Sequence, residues 1–258
     1  MGMKIALLHL NLSGGPQEKN LKVLCKSIKM AAKSGAKWIL TPEMALQGYF
    51  FTQLDREYVW EQEITNIIQP VLDLAKELQV TVFLGCGELD HEDGKKYNSC
   101  LIIDAKGEII DKHRKLKIVG STTEGWSTAG KKLTCLRYEG VSIGVLVCAD
   151  AWYGENGAQL GEMGAELILV IAACPPGCGG PPEKAWERCS KMSGGRPVIV
   201  CNQTGNTRGM NCFIAKSAAI IDGELKFSYQ GEAAILMMDF NKKEKVFTST
   251  QFNIISFT

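Results

Sequence analysis

"GVLVCAD", residues 144–150, ends an apolar run on a thiol and places a carboxylate two residues later. The run Val145-Leu146-Val147 is typical of a strand buried on both faces, which favours an α/β sheet. Cys148 at its end has two interpretations. Cysteine packs well in a core, so the strand could simply end there. Alternatively, the strand delivers a nucleophile to the rim of the sheet, where ligand-binding groups of α/β folds gather.

The same alternation of short apolar runs and amphipathic stretches continues on both sides of this segment. Residues 17–34 and 61–78 show helical periodicity, whereas 4–11 (KIALLHLN) and 80–88 (VTVFLGCGE) show the pattern of buried strands. Hairpin patterns alternate with strand–helix patterns, which predicts one α/β domain over residues 1–258 with two sheets or one large mixed sheet. The tail from about residue 241 shows no core partner in the sequence, and we expect it to pack on a second subunit.

Composition excludes several classes of function. The 258 residues carry 29 Lys plus Arg and 28 Asp plus Glu with no basic stripe, which argues against a nucleic-acid or membrane-surface partner. No segment approaches the roughly 20 apolar residues of a membrane span. The start, MGMKIALLHLN, is typical of a first strand and not of a signal peptide. With ten cysteines and no secretory signal, we expect a cytoplasmic protein with reduced thiols.

Common catalytic and metal-binding signatures are missing. The sequence has no GxSxG, HExxH, GxxxxGK[ST] or GxGxxG motif. A cysteine–histidine dyad with His9 or His113 remains open, although an ordinary structural histidine is the favoured interpretation. A zinc site formed by Cys174 and Cys178 with Cys189 or Cys201 is a second alternative, but its spacing is poor. We therefore expect no metal and no cofactor.

Three ionisable side chains follow predicted strands. Glu43 comes after KWIL and a proline, Lys115 after the strand ending in DKHR, and Cys148 after GVLV. Taken singly, a loop acid, a surface cation and a core thiol are the favoured interpretations. Taken together at strand ends, the three favour a functional site, because the scaffold is rigid there and the loops diverge.

These segments resemble the catalytic segments of the nitrilase superfamily, the carbon–nitrogen hydrolases. The resemblance extends from about Lys4 to Phe240. Three motifs carry it: LTPEMALQGY (40–49), HRK (113–115) and CADAWYGE (148–155). Weaker matches connect them: YNSCLIIDAKGEII (97–110), GAELILV (164–170) and VIVCNQTG (198–205).

The resemblance implies a four-layer αββα sandwich that pairs through its helices into homodimers or larger homo-oligomers. It also implies that a catalytic Glu43–Lys115–Cys148 triad meets in one pocket. Glu124 in STTEGW is the candidate for the second glutamate of the family. The resemblance further suggests that substrate is contacted by Tyr49, Ala149 and Trp152.

The chemistry of the residues agrees with this resemblance. A lysine ammonium lowers the pKa of a nearby thiol, and Glu43 can take the thiol proton and return it to the departing nitrogen. Lys115 and the backbone N–H after Cys148 can stabilise the oxyanion. Glu43 then activates a water molecule, which hydrolyses the thioester and releases the acid. Glu124 could orient Lys115 or hydrogen-bond the substrate nitrogen. Asp150 is expected to orient the turn.

Two departures from relatives bear on substrate. Trp152 stands where relatives acting on carboxylate-bearing substrates carry arginine, and it resembles the hydrolases of carbamoyl amines; plain packing is an equal alternative. Ser193 and Gly194 replace a Glu-Asn pair, and GCGGPP (177–182) forms an unusual loop. We predict hydrolysis of a small amide or N-carbamoyl amine to an acid and ammonia. Nitrile hydrolysis by the same triad, or a catalytically idle binding subunit, are the alternatives.

Overall fold

The structure, a computed structural model, describes residues 2–54, 58–60, 63–120, 123–177 and 180–257. The first half of the chain forms β1 (Gly2–His9), α1 (Gln17–Lys33), β2 (Trp38–Leu40), α2 (Ile64–Leu78), β3 (Thr81–Leu89), β4 (Lys96–Ile103), β5 (Ile109–Arg114), β6 (Thr134–Tyr138) and β7 (Val141–Val147). The second half forms α3 (Glu155–Glu162), β8 (Leu167–Ala172), α4 (Ala185–Met192), β9 (Val198–Asn202), β10 (Asn206–Thr207), β11 (Met210–Asn211), β12 (Ser217–Ile221), β13 (Glu224–Tyr229), β14 (Ala234–Asn241), β15 (Val246–Phe247) and β16 (Asn253–Ser256).

These strands form two large sheets. The first has the order β15-β14-β1-β2-β3-β4-β5, with β16 also paired to β14, and the second has the order β13-β12-β9-β8-β7-β6. Strands β1, β2 and β3 run parallel, as do β7, β8 and β9. Because β5 is antiparallel to β4 and β4 to β3, β5 ends at the same edge as β2. The segments after β2 and β5 therefore leave the first sheet on one side.

Side chains alternate along β1 between two cores. Ile5 and Leu7 belong to the apolar core shared with the second sheet, whereas Ala6 and Leu8 pack with α1 and α2. This period of two is what a strand buried on both faces produces. On the second sheet, Leu160 of α3 and Cys189 of α4 extend the core on the helical side. The layers are thus helices, sheet, sheet and helices, which confirms the predicted αββα sandwich.

The helices follow the apolar periodicity of the sequence. In α1 the buried residues include Leu24, Ile28 and Ala31, spaced by four and three positions on one face. The cap residue Ser34 follows its last turn, and Gly35 has a φ of 91°, a left-handed conformation that glycine adopts without steric cost. The helix predicted over 61–78 begins at Ile64 in the structure; residues 61–62 lie outside the described ranges.

The C-terminal tail has a partner within its own chain. β15 and β16 both pair antiparallel with β14, and Phe252 is buried, with its ring centroid 4.9 Å from that of Phe227. The sequence did not reveal this partner, because a four-residue strand carries too weak a periodicity. Packing of the tail on a second subunit stays a prediction. In the described part of the chain, no helix has the length and apolar character needed to cross a membrane.

Candidate active site

Cys148 lies at the point where β7 turns into a short 3-10 helix, Cys148–Ala151. Its φ of 48° lies in the left-handed region, which costs a residue with a β-carbon about 1–3 kcal/mol and persists only when the surroundings enforce it. The side chain is buried, with 3% of the residue exposed. The strand therefore ends in a strained turn that fixes the thiol at the rim of the second sheet.

Glu43 follows β2 and Pro42 and is fully buried. Its Oε1 accepts hydrogen bonds from Lys115 Nζ at 2.7 Å and from Asn98 Nδ2 at 2.8 Å. Its Oε2 accepts the backbone N–H of Ala173, just beyond β8, at 3.0 Å. These contacts hold the carboxylate between the carboxyl ends of strands from both sheets.

A glycine makes room for the Glu43 turn. A β-carbon on Gly85 of β3 would lie 2.1 Å from the carbonyl oxygen of Pro42, far closer than atoms can approach. The Gly85 N–H also donates to Thr41 Oγ1 at 2.8 Å. The backbone leading to Glu43 is therefore pressed directly against β3.

Lys115 comes immediately after β5 and is also fully buried. Its Nζ donates to Glu43 Oε1 and, at 2.5 Å, to Glu124 Oε1. Burial disfavours the ammonium, but the carboxylate of Glu43 and the hydrogen-bonded Glu124 outweigh it and raise the pKa of Lys115 well above its usual value. The lysine is thus a buried, permanently charged group held between two carboxylates.

Glu124 and Tyr49 form the outer side of this arrangement. Glu124 Oε1 accepts from Tyr49 Oη at 2.9 Å, and Glu124 Oε2 accepts the Val119 N–H at 2.8 Å. Burial, followed by repulsion from Glu43, raises the pKa of Glu124 despite the ammonium of Lys115. Glu124 is therefore the group of the cluster that resists ionisation.

Burial also governs the thiol. It raises the pKa of Cys148 well above the usual value, and contact with the neighbouring Cys174 thiol raises it further. Lys115 lowers the pKa, which is the direction the sequence predicted, but its effect is outweighed. A thiol in this state needs a base at the moment of attack.

The cluster opens onto a cavity of about 80 Å³. Lys115, Glu124 and Cys148 line it, and Glu43 lies behind Lys115. Its apolar lining includes Tyr49, Val119, Trp152 and Met210. Among the described residues that line it there is no arginine, and its one lysine is already paired with carboxylates.

A larger groove, of about 850 Å³, lies elsewhere and includes Glu88, Asp90, Lys112 and Arg114. Its charges neutralise each other: Arg114 donates to Glu88 at 2.7 Å and to Asp90 at 2.5 Å, and Lys112 donates to Glu88 at 2.8 Å. No cysteine or serine lies among its described lining residues. The candidate catalytic side chains therefore line the small cavity and not the larger groove.

The structure brings together most of the residues singled out in the sequence. Glu43, Lys115, Glu124 and Cys148 cluster, and Tyr49 and Trp152 line the cavity. Ala149 is buried in the turn, and its side chain is not part of the described cavity wall. Contact of Ala149 with substrate, through its backbone N–H, stays a prediction.

The alternatives raised from the sequence find little support. His9 bonds Ser217 Oγ at 2.9 Å, burial lowers its pKa to about 4, and it does not belong to the described wall of the cavity. His113 bonds Asp150 at 3.0 Å and is likewise a buried structural residue. Cys178 lies outside the described residues, and within the described ranges no group of three His, Cys, Asp or Glu side chains could hold a metal ion.

Sequence reasoning missed three contributors. Asn98 and the Ala173 N–H hold Glu43, and Cys174 lies beside the Cys148 thiol. Asn98 falls in a segment that matches the family, so its position was visible but its partner was not. Every residue except proline has a backbone N–H, so the residue type at position 173 did not indicate this contact.

Comparison with known proteins agrees with this geometry. The chain is 31% identical over 179 residues to a citrullinase from Francisella tularensis subsp. tularensis, which covers 66% of this chain and 61% of that protein. It is 27% identical over 202 residues to an N-carbamoylputrescine amidase from Solanum tuberosum, covering 72% and 66%. The chain thus spans about three-fifths to two-thirds of the length of these relatives.

A solved structure shows the same fold. An amidase from Nesterenkonia sp. AN1, carrying the acetamide moiety of fluoroacetamide on its active-site cysteine, superposes with a TM-score of 0.81 at 19% identity, covering 94% of this chain and 92% of that one. Residues 4–240 match the family described as carbon-nitrogen hydrolase. This match spans most of the sequence, and the protein belongs to the carbon–nitrogen hydrolase family, an enzyme family of the nitrilase superfamily.

Proposed function

We propose that this hydrolase cleaves the carbon–nitrogen bond of a small, neutral amide or N-carbamoyl amine and releases an acid and ammonia through a thioester on Cys148. The observation that carries the proposal is the buried Lys115 ammonium. It is bonded to both Glu43 and Glu124 and lines the same cavity as the Cys148 thiol. A charge this deeply buried must be paired, and Glu43 and Glu124 pair it. The ammonium can then stabilise the transient negative charge of an oxyanion.

Acylation begins with proton transfer from Cys148 to Glu43. The sulfur attacks the substrate carbonyl carbon, and the carbonyl oxygen takes up negative charge. Lys115 and the backbone N–H of Ala149 stabilise that charge. The intermediate collapses as Glu43 returns the proton to the nitrogen, the C–N bond breaks, and ammonia leaves. The raised pKa of Cys148 makes Glu43 essential for this step.

Deacylation uses the same groups in reverse. Glu43, now ionised again, takes a proton from a water molecule that attacks the thioester carbon. A second oxyanion forms at the same position, the C–S bond breaks, and the Cys148 sulfur recovers its proton as the acid departs. Glu124 holds Lys115 in position throughout, since its Oε1 accepts from Nζ at 2.5 Å.

Charge and size support neutral substrates. The cavity presents no unpaired cation in its described lining, so the carboxylate of an anionic substrate would lack a partner. The Trp152 indole N–H is buried and has no hydrogen-bond acceptor among the described residues. A substrate carbonyl or ureido oxygen would satisfy this donor. The relative named N-carbamoylputrescine amidase supports the N-carbamoyl amine class but not the neutral charge, because N-carbamoylputrescine carries an ammonium group.

A panel of short amides, N-carbamoyl amines and nitriles, assayed for ammonia, tests the proposal. Cys148→Ala and Glu43→Gln should both abolish release, the latter because the thiol then lacks its base, and intact mass of the wild type quenched during turnover should show an acyl adduct on Cys148. Cys189→Ala, a buried cysteine of α4, is the matched control. Ammonia release by Cys148→Ala would refute the mechanism. Activity on nitriles alone would show that the substrates are nitriles and not amides or N-carbamoyl amines. The absence of both an acyl adduct and turnover would favour an idle binding subunit.

A further inference from the structure

The active-site cavity contains a second thiol that hydrolysis does not use. Cys174 lies two residues after β8, is 6% exposed and lines the cavity together with Cys148. Both thiols are free and line the same cavity of about 80 Å³, and Cys174 is close enough to raise the pKa of Cys148. A nucleophilic cysteine with a second cysteine against it is the arrangement in which a disulfide can form.

The position of Cys174 is fixed by its backbone. The Cys174 N–H donates to Asn202 Oδ1 at 3.1 Å, and Asn202 Nδ2 donates to the Cys174 carbonyl at 3.1 Å. The preceding N–H, of Ala173, is bonded to Glu43. The backbone is therefore held on both sides of the thiol, which keeps residue 174 at the wall of the cavity that Cys148 also lines.

We infer that Cys174 is the resolving thiol of a reversible Cys148–Cys174 disulfide formed by hydrogen peroxide. The inference rests on the proposed function only for its effect on activity. Glu43 takes the Cys148 proton, the sulfur attacks one peroxide oxygen, and the O–O bond breaks to give sulfenic acid and water. The Cys174 sulfur then attacks the Cys148 sulfur, the S–O bond breaks, and a second water leaves. The two thiols lose two electrons and two hydrogens, and peroxide is reduced to two waters.

The geometry restricts the oxidant. Cys148 is 3% exposed and faces a cavity of about 80 Å³, which admits hydrogen peroxide but not glutathione disulfide. The disulfide blocks the nucleophile while leaving it recoverable by a thiol reductant. Without Cys174, the sulfenic acid would proceed to sulfinic acid, which thiols do not reverse.

Peptide mapping without reduction tests this inference. Wild type, Cys174→Ser, Cys174→Ala and Cys178→Ser are treated with hydrogen peroxide, quenched with catalase and digested. Wild type and Cys178→Ser should show a Cys148–Cys174 cross-link, and dithiothreitol should restore their activity. Both Cys174 variants should show Cys148 with two added oxygens and no recovery. Glutathione disulfide should leave wild-type Cys148 unmodified.

Two outcomes overturn the inference. One is sulfinic acid at Cys148 in wild type at the same rate as in the Cys174 variants, and the other is a Cys174–Cys178 cross-link in place of the predicted one. A failure of the proposed function is distinguishable from both. In that case the Cys148–Cys174 cross-link forms, but ammonia release is either absent before oxidation or unchanged by it.

Discussion

Replacing Asp150 would test how the turn that carries the nucleophile is joined to the lysine segment. Asp150 Oδ1 accepts the backbone N–H groups of Leu116 at 2.9 Å and Lys117 at 2.7 Å. Its Oδ2 accepts the Val147 N–H at 3.2 Å and contacts His113 Nε2 at 3.0 Å. The buried carboxylate of Asp150 therefore bonds to the chain on both sides of residue 115, and Asp150 itself lies two positions after Cys148.

The expected cost follows from these four contacts. Asp150→Ala leaves three backbone N–H groups and the His113 ring without their acceptor. Val147 and His113 are buried, and each buried donor left unsatisfied costs about 1–3 kcal/mol, so these two alone predict a loss of at least about 2 kcal/mol in the free energy of unfolding, to which the part-buried N–H groups of Leu116 and Lys117 add a smaller amount. Asp150→Asn keeps one oxygen for Leu116 and Lys117 and should lose about 1–2 kcal/mol, mainly at Val147.

Urea denaturation of the three proteins measures this series, and the rate of Cys148 alkylation by iodoacetamide reports the turn. Glu166→Ala is the matched control, because its carboxylate also accepts a backbone N–H, from Ser142 at 2.8 Å, but is partly exposed. It should cost less than about 1 kcal/mol. If Asp150→Ala costs no more than Glu166→Ala and leaves kcat unchanged, the carboxylate does not join the two segments.

Three further predictions concern the site. Gly85→Ala should lower the free energy of unfolding in urea by about 1–3 kcal/mol and reduce kcat, because its β-carbon would displace the backbone before Glu43. Gly14→Ala, whose β-carbon would have its nearest contact at 3.5 Å, should be close to neutral, and equal effects of the two substitutions would contradict this explanation. Because burial raises the pKa of Cys148, its alkylation by iodoacetamide in the free enzyme should accelerate up to and beyond pH 9.0, the usual value for a thiol, and a plateau near neutrality would show the opposite shift. Trp152→Phe, which removes the unpartnered indole N–H but keeps an aromatic ring, should raise KM several-fold with little change in kcat; an unchanged KM would show that Trp152 only packs.

Part of this site was predictable because its residues follow strands. Glu43, Lys115 and Cys148 come after the apolar runs of β2, β5 and β7, and the fold places strand ends together. The alternation of strand, helix and hairpin patterns predicted an α/β domain with two sheets or one large mixed sheet, and the family resemblance implied the two-sheet sandwich. Glutamate, lysine and cysteine at strand ends also indicate possible roles, because these side chains can act as a base, a cation and a nucleophile.

The rest depends on contacts distant in the sequence. Asn98 reaches Glu43 through the pairing of β3 with β4, and Ala173 reaches it from the other sheet. The net direction of the Cys148 pKa shift is a balance between burial and Lys115, and no residue spacing encodes the depth of burial. The pairing of β16 with β14 was hidden for the same reason, since four residues gain their stability only from the strand beside them.

The balance of charge in the cluster explains why its resting state is a thiol. One ammonium, on Lys115, faces two carboxylates in a buried setting, so full ionisation of both would leave a negative charge without compensation. Burial is the main cause of the raised pKa values of Glu124 and Cys148, repulsion from Glu43 adds to both, and a thiolate would increase the excess of negative charge. In the proposed mechanism, negative charge therefore develops on sulfur only as its proton moves to Glu43, and it is transferred to the substrate oxygen in the same attack. Lys115 lies between the carboxylates and the cavity, so its ammonium can stabilise negative charge first in the resting cluster and then on the oxyanion.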